Sequence, residues 1–288
     1  MLASAIANGL ALGAIYAMVS AGLNLIFGVV KIINFAQGAL IMAGMYMVYW
    51  AVQLFPIDPY LTLPVIVIVM FLLGYLIQLL IINRVLRQDR TAQLLITFGI
   101  GMVLQNIALA LWGPDHRSVR SFLTGETLEL LGARVSMQHV VAFLGSAVAI
   151  AILFFFLKTT RYGTAIRAVA QQPDSAELSG INVKSVFAVA FGIGTAITGF
   201  AAVLMAPIYD IQPLIGDGFG VIAFIAVVMG GLGNVQGATA SGLILGLSQV
   251  LFATFVGPQF STAFLLLFFV ATLIFRPTGL FGRKERIA

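Results

Sequence analysis

The chain has 288 residues, 61% of them hydrophobic and 9% charged. Soluble globular proteins carry about a quarter Asp, Glu, Lys and Arg, so this charge density and a mean hydropathy of +1.08 exclude an ordinary water-soluble fold. With no cysteine and only His116 and His139, the chain lacks the thiolates for disulfides or zinc sites and the histidines for a metal centre built of them alone.

Twenty-one of the 25 charged residues fall in four blocks, 84–90, 115–134, 158–184 and 276–286, and only Lys31, Asp58, Asp210 and Asp217 lie outside them. Between the blocks run uncharged stretches at 2–30, 32–57, 59–83, 91–114, 140–157 and 185–209, each read as one helix, since a crossing takes about 20 apolar residues. The stretch 218–275 is long enough for three helices, with breaks expected near 233–237 and 257–259. None of these runs alternates as barrel strands do, so strands are not expected. The first run lacks a basic n-region and continues to Val30, longer than a signal-peptide core, and is read as a retained membrane helix. The expected fold is an all-α polytopic membrane protein of about eight to nine transmembrane helices with broken or re-entrant segments.

Orientation follows from the basic loops. Lys31, Arg84, Arg87, Arg90, the 158–184 loop and the tail with Arg276, Arg283, Lys284 and Arg286 hold 12 of the 15 basic residues. The intervening segments hold six of the ten acids, including Asp58, Asp210 and Asp217. Counting back from Arg84 predicts nine crossings with the N-terminus outside and the C-terminus inside. Lys31 alone orients the first hairpin, and eight crossings plus a re-entrant piece also fit. The basic pI of 9.7 is thus a topology signal and does not point to nucleic acid.

This assignment leaves no ionisable residue at mid-span, which weakens an ion-coupled carrier and a voltage sensor. A P-loop needs Gly before Lys, and none of Lys31, Lys158, Lys184 and Lys284 follows a glycine. No Gly-x-Ser-x-Gly elbow is present either. The reading is that the chain is not an enzyme, has no catalytic residues and binds no cofactor itself, so energy for uphill transport must come from a partner.

Two segments carry specific content. At Asn34, Phe35, Gln37 and Gly38, polar residues interrupt apolar sequence. They form either an ordinary inner loop with solvated amides or a break inside the membrane whose backbone lines a cavity. In the loop 158–184, residues 164–172 suit a helix that Pro173 interrupts, and Asp174 and Glu177 have capping-box spacing. Gly180 suits the left-handed position that ends a helix. The two short helices either lie on lipid headgroups or dock a cytosolic partner. Small-residue motifs at Gly9/Gly13, Gly233/Gly237 and Gly242/Gly246 point to close helix packing, and Gly230, Gly231, Gly233 and Gly237 to a membrane turn.

Four stretches resemble the branched-chain amino acid ABC transporter permeases, the LivH-like family. They are Asn34–Gly38 (with Gln37 where His is common), Arg161 through Asn182, Val228–Gly237 and Arg276–Gly282. The resemblance implies a single permease domain over 1–288 with a cytoplasmic coupling loop at 158–184 and a cytoplasmic tail at 276–288. It implies a bacterial inner-membrane importer of amino acids, with related systems carrying amides or urea. The implied partners are a second, LivM-like permease, two cytosolic ATP-binding subunits that hold ATP and Mg, and an extracytoplasmic solute-binding protein. Gly163, Ala170, Gln171, Asp174, Glu177 and Gly180 would form the ATPase-coupling element. Gln171 stands where related loops often carry an acid. Asn34, Phe35, Gln37 and Gly38 are the candidate pathway break, and Asp58, Asp210 and Asp217 would face the binding protein.

Overall fold

A computed structural model describes residues 2–86, 88–130 and 133–282; Arg87, Arg283, Lys284 and Arg286 lie outside the described residues. The helices are α1 (Leu2–Val30), α2 (Gln37–Leu54), α3 (Leu63–Ile77), α4 (Asn83–Val85), α5 (Arg90–Trp112), α6 (Met137–Thr159), α7 (Arg161–Gln171), α8 (Pro173–Leu178), α9 (Val183–Met205), α10 (Ile215–Gly230), α11 (Val235–Phe255) and α12 (Ser261–Phe275). A 3-10 turn before α3 and a π segment after it make Pro59–Val85 one continuous rod. Asp58 starts that rod: its Oδ1 accepts from Tyr60 N at 2.9 Å, and Pro59 fills the first position, where no amide is needed.

Among the described residues seven helices are long and apolar enough to cross a membrane. Of the remaining two of the nine expected crossings, α2 has 18 residues but is less apolar, and α10 is shorter at 16. The 218–275 stretch divides into three helices, broken at 231–234 and 256–257. One exception to the all-α expectation lies in a loop. β1 (Thr127–Leu130) and β2 (Ala133–Ser136) pair antiparallel, and Glu129 meets Arg134 at 3.0 Å on the exposed surface. The charge-rich 115–134 block obscured this hairpin, because a two-strand ribbon needs no apolar run.

α1 is the axis of the bundle and packs against α6, α9, α10 and α11. Its partnership with α11 uses both glycine motifs. Gly9 and Gly13 face the backbone at Leu247 and Leu243, while Gly242 and Gly246 face the backbone at Ala17 and Gly13. A Cβ on Gly13 would lie 2.7 Å from the Leu243 carbonyl oxygen. Small residues therefore set the helix separation, as expected where lipid supplies no hydrophobic drive. The Gly233/Gly237 pair differs: Gly233 precedes α11 and belongs to a turn, so this motif is not one helical face.

Loops gather at two ends in the order the charge map requires. At one end Lys31, Asn83, Lys184 and the α7–α8 region share a groove, and Arg276–Gly282 folds onto the 229–234 turn. At the other, Asp58 Oδ2 accepts from Phe122 N, Arg117 pairs with Ile211, and Gln138 reaches the Pro207 carbonyl. Lys31 thus shares an end with the Arg84 and Lys158–Lys184 loops, as the charge map expects. Asp58 holds two segments at this second end together.

Candidate functional site

Residues 31–36 leave α1 at the groove end and run back into the bundle. Lys31 takes a left-handed φ of 63°, which turns the chain, and its amide still donates to Phe27 O at 2.9 Å. Six residues in extended form reach at most roughly 20 Å, and the contacts show where they arrive. Gln37 Nε2 donates to Thr198 Oγ1 at 2.7 Å, seven residues before the C-terminal end of α9. Tyr46, nine residues into α2, already stacks on Trp112 at the C-terminal end of α5, with ring centroids 4.3 Å apart. So α2 begins deep in the bundle, and the ordinary-loop alternative for Asn34–Gly38 is set aside.

The break is satisfied internally, as irregular backbone at depth must be. Asn34 and Gln37 are buried; Asn34 Oδ1 accepts from Ala36 N at 3.1 Å, and Asn34 Nδ2 donates to Gln37 Oε1 at 3.4 Å. Thr97 on α5 accepts from Phe35 N at 3.3 Å and donates to Ile33 O at 3.1 Å. Thr97 and Thr198 were not foreseen, because a threonine in an apolar helix carries no signal of its partner. Phe35 is half exposed and packs its ring near Phe224.

α10 also begins inside the bundle, coming from the opposite end, and the two helix starts meet. Gly38, second in α2, abuts Gly216, second in α10, and a Cβ on either would overlap the other's carbonyl. Gly220 sits against Gly38 Cα at a virtual Cβ distance of 3.1 Å. Asp217, in the first turn of α10, accepts from Gln105 Nε2 on α5. Gln105 lies seven residues before Trp112, roughly 10 Å inside the C-terminal end of α5 at 1.5 Å per residue. Asp217 therefore lies within the span and not in a connecting loop, which corrects its reading as a loop acid. The misplacement has a physical source: acids are favoured in the first turn of a helix, but they mark loops equally well in a sequence.

At the groove end, Thr160 caps α7 by accepting from Gly163 N at 2.9 Å. Gly163 is there for closeness, since a Cβ would lie 2.6 Å from the Leu157 carbonyl oxygen. α8 begins at Pro173 with Gln172 as N-cap, so Asp174 is a first-turn acid and not the cap that its spacing with Glu177 suggested. Proline at the first helical position wins because it has no amide to satisfy. Gly180 has φ 84°, as expected, and α9 restarts on Asn182, whose side chain accepts from Ser185 N at 3.1 Å. Ile166 and Val169 turn the apolar face of α7 into the bundle core, so that face is not free to lie on headgroups. Ala170, Gln171, Asp174, Glu177 and Gly180 line the groove of about 720 Å³ shared with Lys31. Leu178, missed in the sequence, ends α8 with 91% of its surface exposed.

Under this end, Gly230 closes α10 and Gly231 and Gly233 take φ of 93° and 82°. Asn24, fully buried in α1, serves three backbone groups of that turn. Its Nδ2 donates to Gly231 O at 3.2 Å and Asn234 O at 2.7 Å, and its Oδ1 accepts from Gly233 N at 2.7 Å. Asn234 caps α11 by accepting from Gly237 N and donates to Phe281 O at 2.9 Å, while Leu280 N donates to Met229 O at 2.6 Å. The glycine turn and the 276–282 segment thus form one unit pinned by Asn24, a polar residue hidden in a run of apolar ones.

The family model described as branched-chain amino acid transport system / permease component matches residues 5–275. The chain belongs to that family. A high-affinity branched-chain amino acid transport system permease protein, BraD of Pseudomonas aeruginosa, is 30% identical over 96% of this chain and 95% of its own length. LivH of Escherichia coli, of the same description, is 30% identical over 96% of this chain and 94% of its own. A probable branched-chain amino acid transport permease of Methanocaldococcus jannaschii is 28% identical over 92% and 88%. No solved structure matches. As a family member the chain is a polytopic transport permease, a component of a transport system.

Proposed function

We propose that the chain is the transmembrane subunit of an ATP-driven importer that carries branched-chain or related amino acids across the bacterial cytoplasmic membrane. The family match over residues 5–275 carries this reading. The end bearing Lys31, the 158–184 loop and the C-terminal segment faces the cytoplasm, because basic residues concentrate there. The N-terminus is then periplasmic. The exposed α7–α8 element, with Gly163, Ala170, Gln171, Asp174, Glu177, Gly180 and Leu178, docks one of two cytosolic ATP-binding subunits, which hold ATP and Mg. This chain hydrolyses nothing itself.

A second, LivM-like permease covers the face formed by α5 and α10. Asp217 is exposed on that face within the span, where contact with lipid would be costly. The binding protein delivers substrate at the opposite end, around Asp210 and the 113–136 region. An ion-coupled carrier is the second reading, favoured by Asp217 alone; the family match outweighs it.

ATP hydrolysis separates the two readings. Purified alone in detergent or nanodiscs, the chain is expected to show no ATPase activity. Assembled with its ATP-binding subunits, it is expected to show hydrolysis stimulated by the loaded binding protein. Hydrolysis indifferent to the binding protein and the permease would contradict the coupling role.

A further inference from the structure

A cavity of about 390 Å³ opens where the starts of α2 and α10 meet α5. That size falls within the range of small-molecule sites. Its walls are apolar and aromatic: Phe35, Phe98, Met102, Val221 and Phe224. Its polar groups are few, chiefly the Gln105 amide and the Asp217 carboxylate, which are bonded to each other, and Gln37. Among the described residues the only ion pair is Arg134 with Glu129, so Asp217 has no cationic partner there.

A carboxylate without a counter-charge inside a membrane span is expensive and is kept for a purpose. Stabilising the start of α10 is one purpose, but a serine or asparagine cap would serve it without a charge. Here the carboxylate projects instead toward α5, at the mouth of a cavity whose remaining wall is apolar. The complement of that lining is a small molecule with one positive group and an apolar body. An ammonium group would replace the missing counter-charge, with the Phe ring faces adding attraction. An apolar side chain would fill the space beside Met102 and Val221.

We infer that Asp217 receives the α-ammonium group of an apolar amino acid during passage, with Gln105 orienting the carboxylate, and that this cavity is a substrate station inside the permease. The inference rests on the proposed importer function and adds a substrate-binding residue to it. The station lies about 10 Å inside the outer end by helix rise, so substrate meets it after leaving the binding protein. Gln37 and Gly38 line the same cavity, which joins the α1–α2 break to the route.

The test uses the complete importer in proteoliposomes, with radiolabelled leucine as the probe and the parent complex measured alongside. Asp217→Asn is nearly isosteric and keeps an acceptor for Gln105. It is expected to lower uptake at least tenfold, the scale of one charge-assisted bond. Complex assembly and binding-protein-stimulated ATP hydrolysis should stay within twofold of the parent. Asp217→Glu should recover part of the uptake. Parent-like uptake by Asp217→Asn overturns the inference, and so does equal loss of assembly and hydrolysis, which would make Asp217 structural. Because the chain has no cysteine, Val221→Cys supplies a second measurement. In the assembled complex a water-soluble thiol reagent should label it, and leucine should slow the labelling. An unreactive thiol, or labelling indifferent to leucine, also counts against the station. If the parent complex itself carries no amino acid, the importer reading fails first, and the two failures are thereby told apart.

Discussion

Gly38→Ala is expected to reduce uptake by the assembled importer by about tenfold or more and to destabilise the chain by about 1–3 kcal/mol, the scale of overpacking a close-packed site. The added methyl has nowhere to go, because it would overlap the Gly216 carbonyl where the starts of α2 and α10 meet. Backbone, unlike the end of a flexible side chain, does not yield cheaply. One helix start must then move away from the other, and the cavity between Phe35, Gln105 and Asp217 changes shape with it. Gly218→Ala is the control: it lies two residues beyond Gly216 in the same helix, and a Cβ there has no neighbour within 4 Å. That variant should transport as the parent does and unfold at the same temperature or slightly higher, since alanine is the better helix former. Uptake assays paired with thermal unfolding in detergent read both effects. Equal behaviour of the two variants would contradict the apposition of α2 and α10.

Leu178→Ala is expected to weaken capture of the ATP-binding subunit by about tenfold or more. Fully burying a leucine is worth about 1.5–3 kcal/mol, and Leu178 has 91% of its surface still exposed in this chain. It stands at the end of α8, on an element whose Ile166, Val169 and Ala176 are turned into the bundle. Leu178→Met keeps most of the apolar surface and should keep most of the affinity. Bulky residues at Ala170 or Gly180 should instead leave capture measurable while separating hydrolysis from uptake, because both line the groove between the docking element and the end of α1. Titration of the purified permease pair with the ATP-binding subunit gives the affinity. An unchanged affinity for Leu178→Ala would contradict the assignment of α8 to the docking surface.

The large-scale plan was legible because charge obeys the membrane. Placing 25 charged residues was enough to space the helices and to pair their ends, and Lys31 does share an end with the other basic loops. Gly180, the 231–234 break and the α1–α11 glycine contacts were legible for a related reason, since few residues other than glycine suit a positive φ or touching backbones. The misreadings concern depth and partners. Asp217 carried the same sign and neighbourhood as a loop acid, and nothing in 210–217 tells that α10 starts inside the bundle. Asn34 and Gln37 read equally well as solvated or buried until Thr97 and Thr198 were found beside them. Asn24 was invisible in an apolar run, because its three backbone partners lie more than 200 residues away. Asp174 lost the cap to Gln172 through the preference of proline for the first helical position.

In the proposed function the chain is a conduit whose energy arrives through the 158–184 loop from ATP bound elsewhere. Leucine accumulation in proteoliposomes holding the complete importer and its binding protein measures this directly. Accumulation should require ATP on the side of the ATP-binding subunits, persist when ionophores collapse proton and sodium gradients, and vanish when this chain is reconstituted alone. Accumulation by the lone chain driven by an ion gradient, with no need for ATP, would contradict the account.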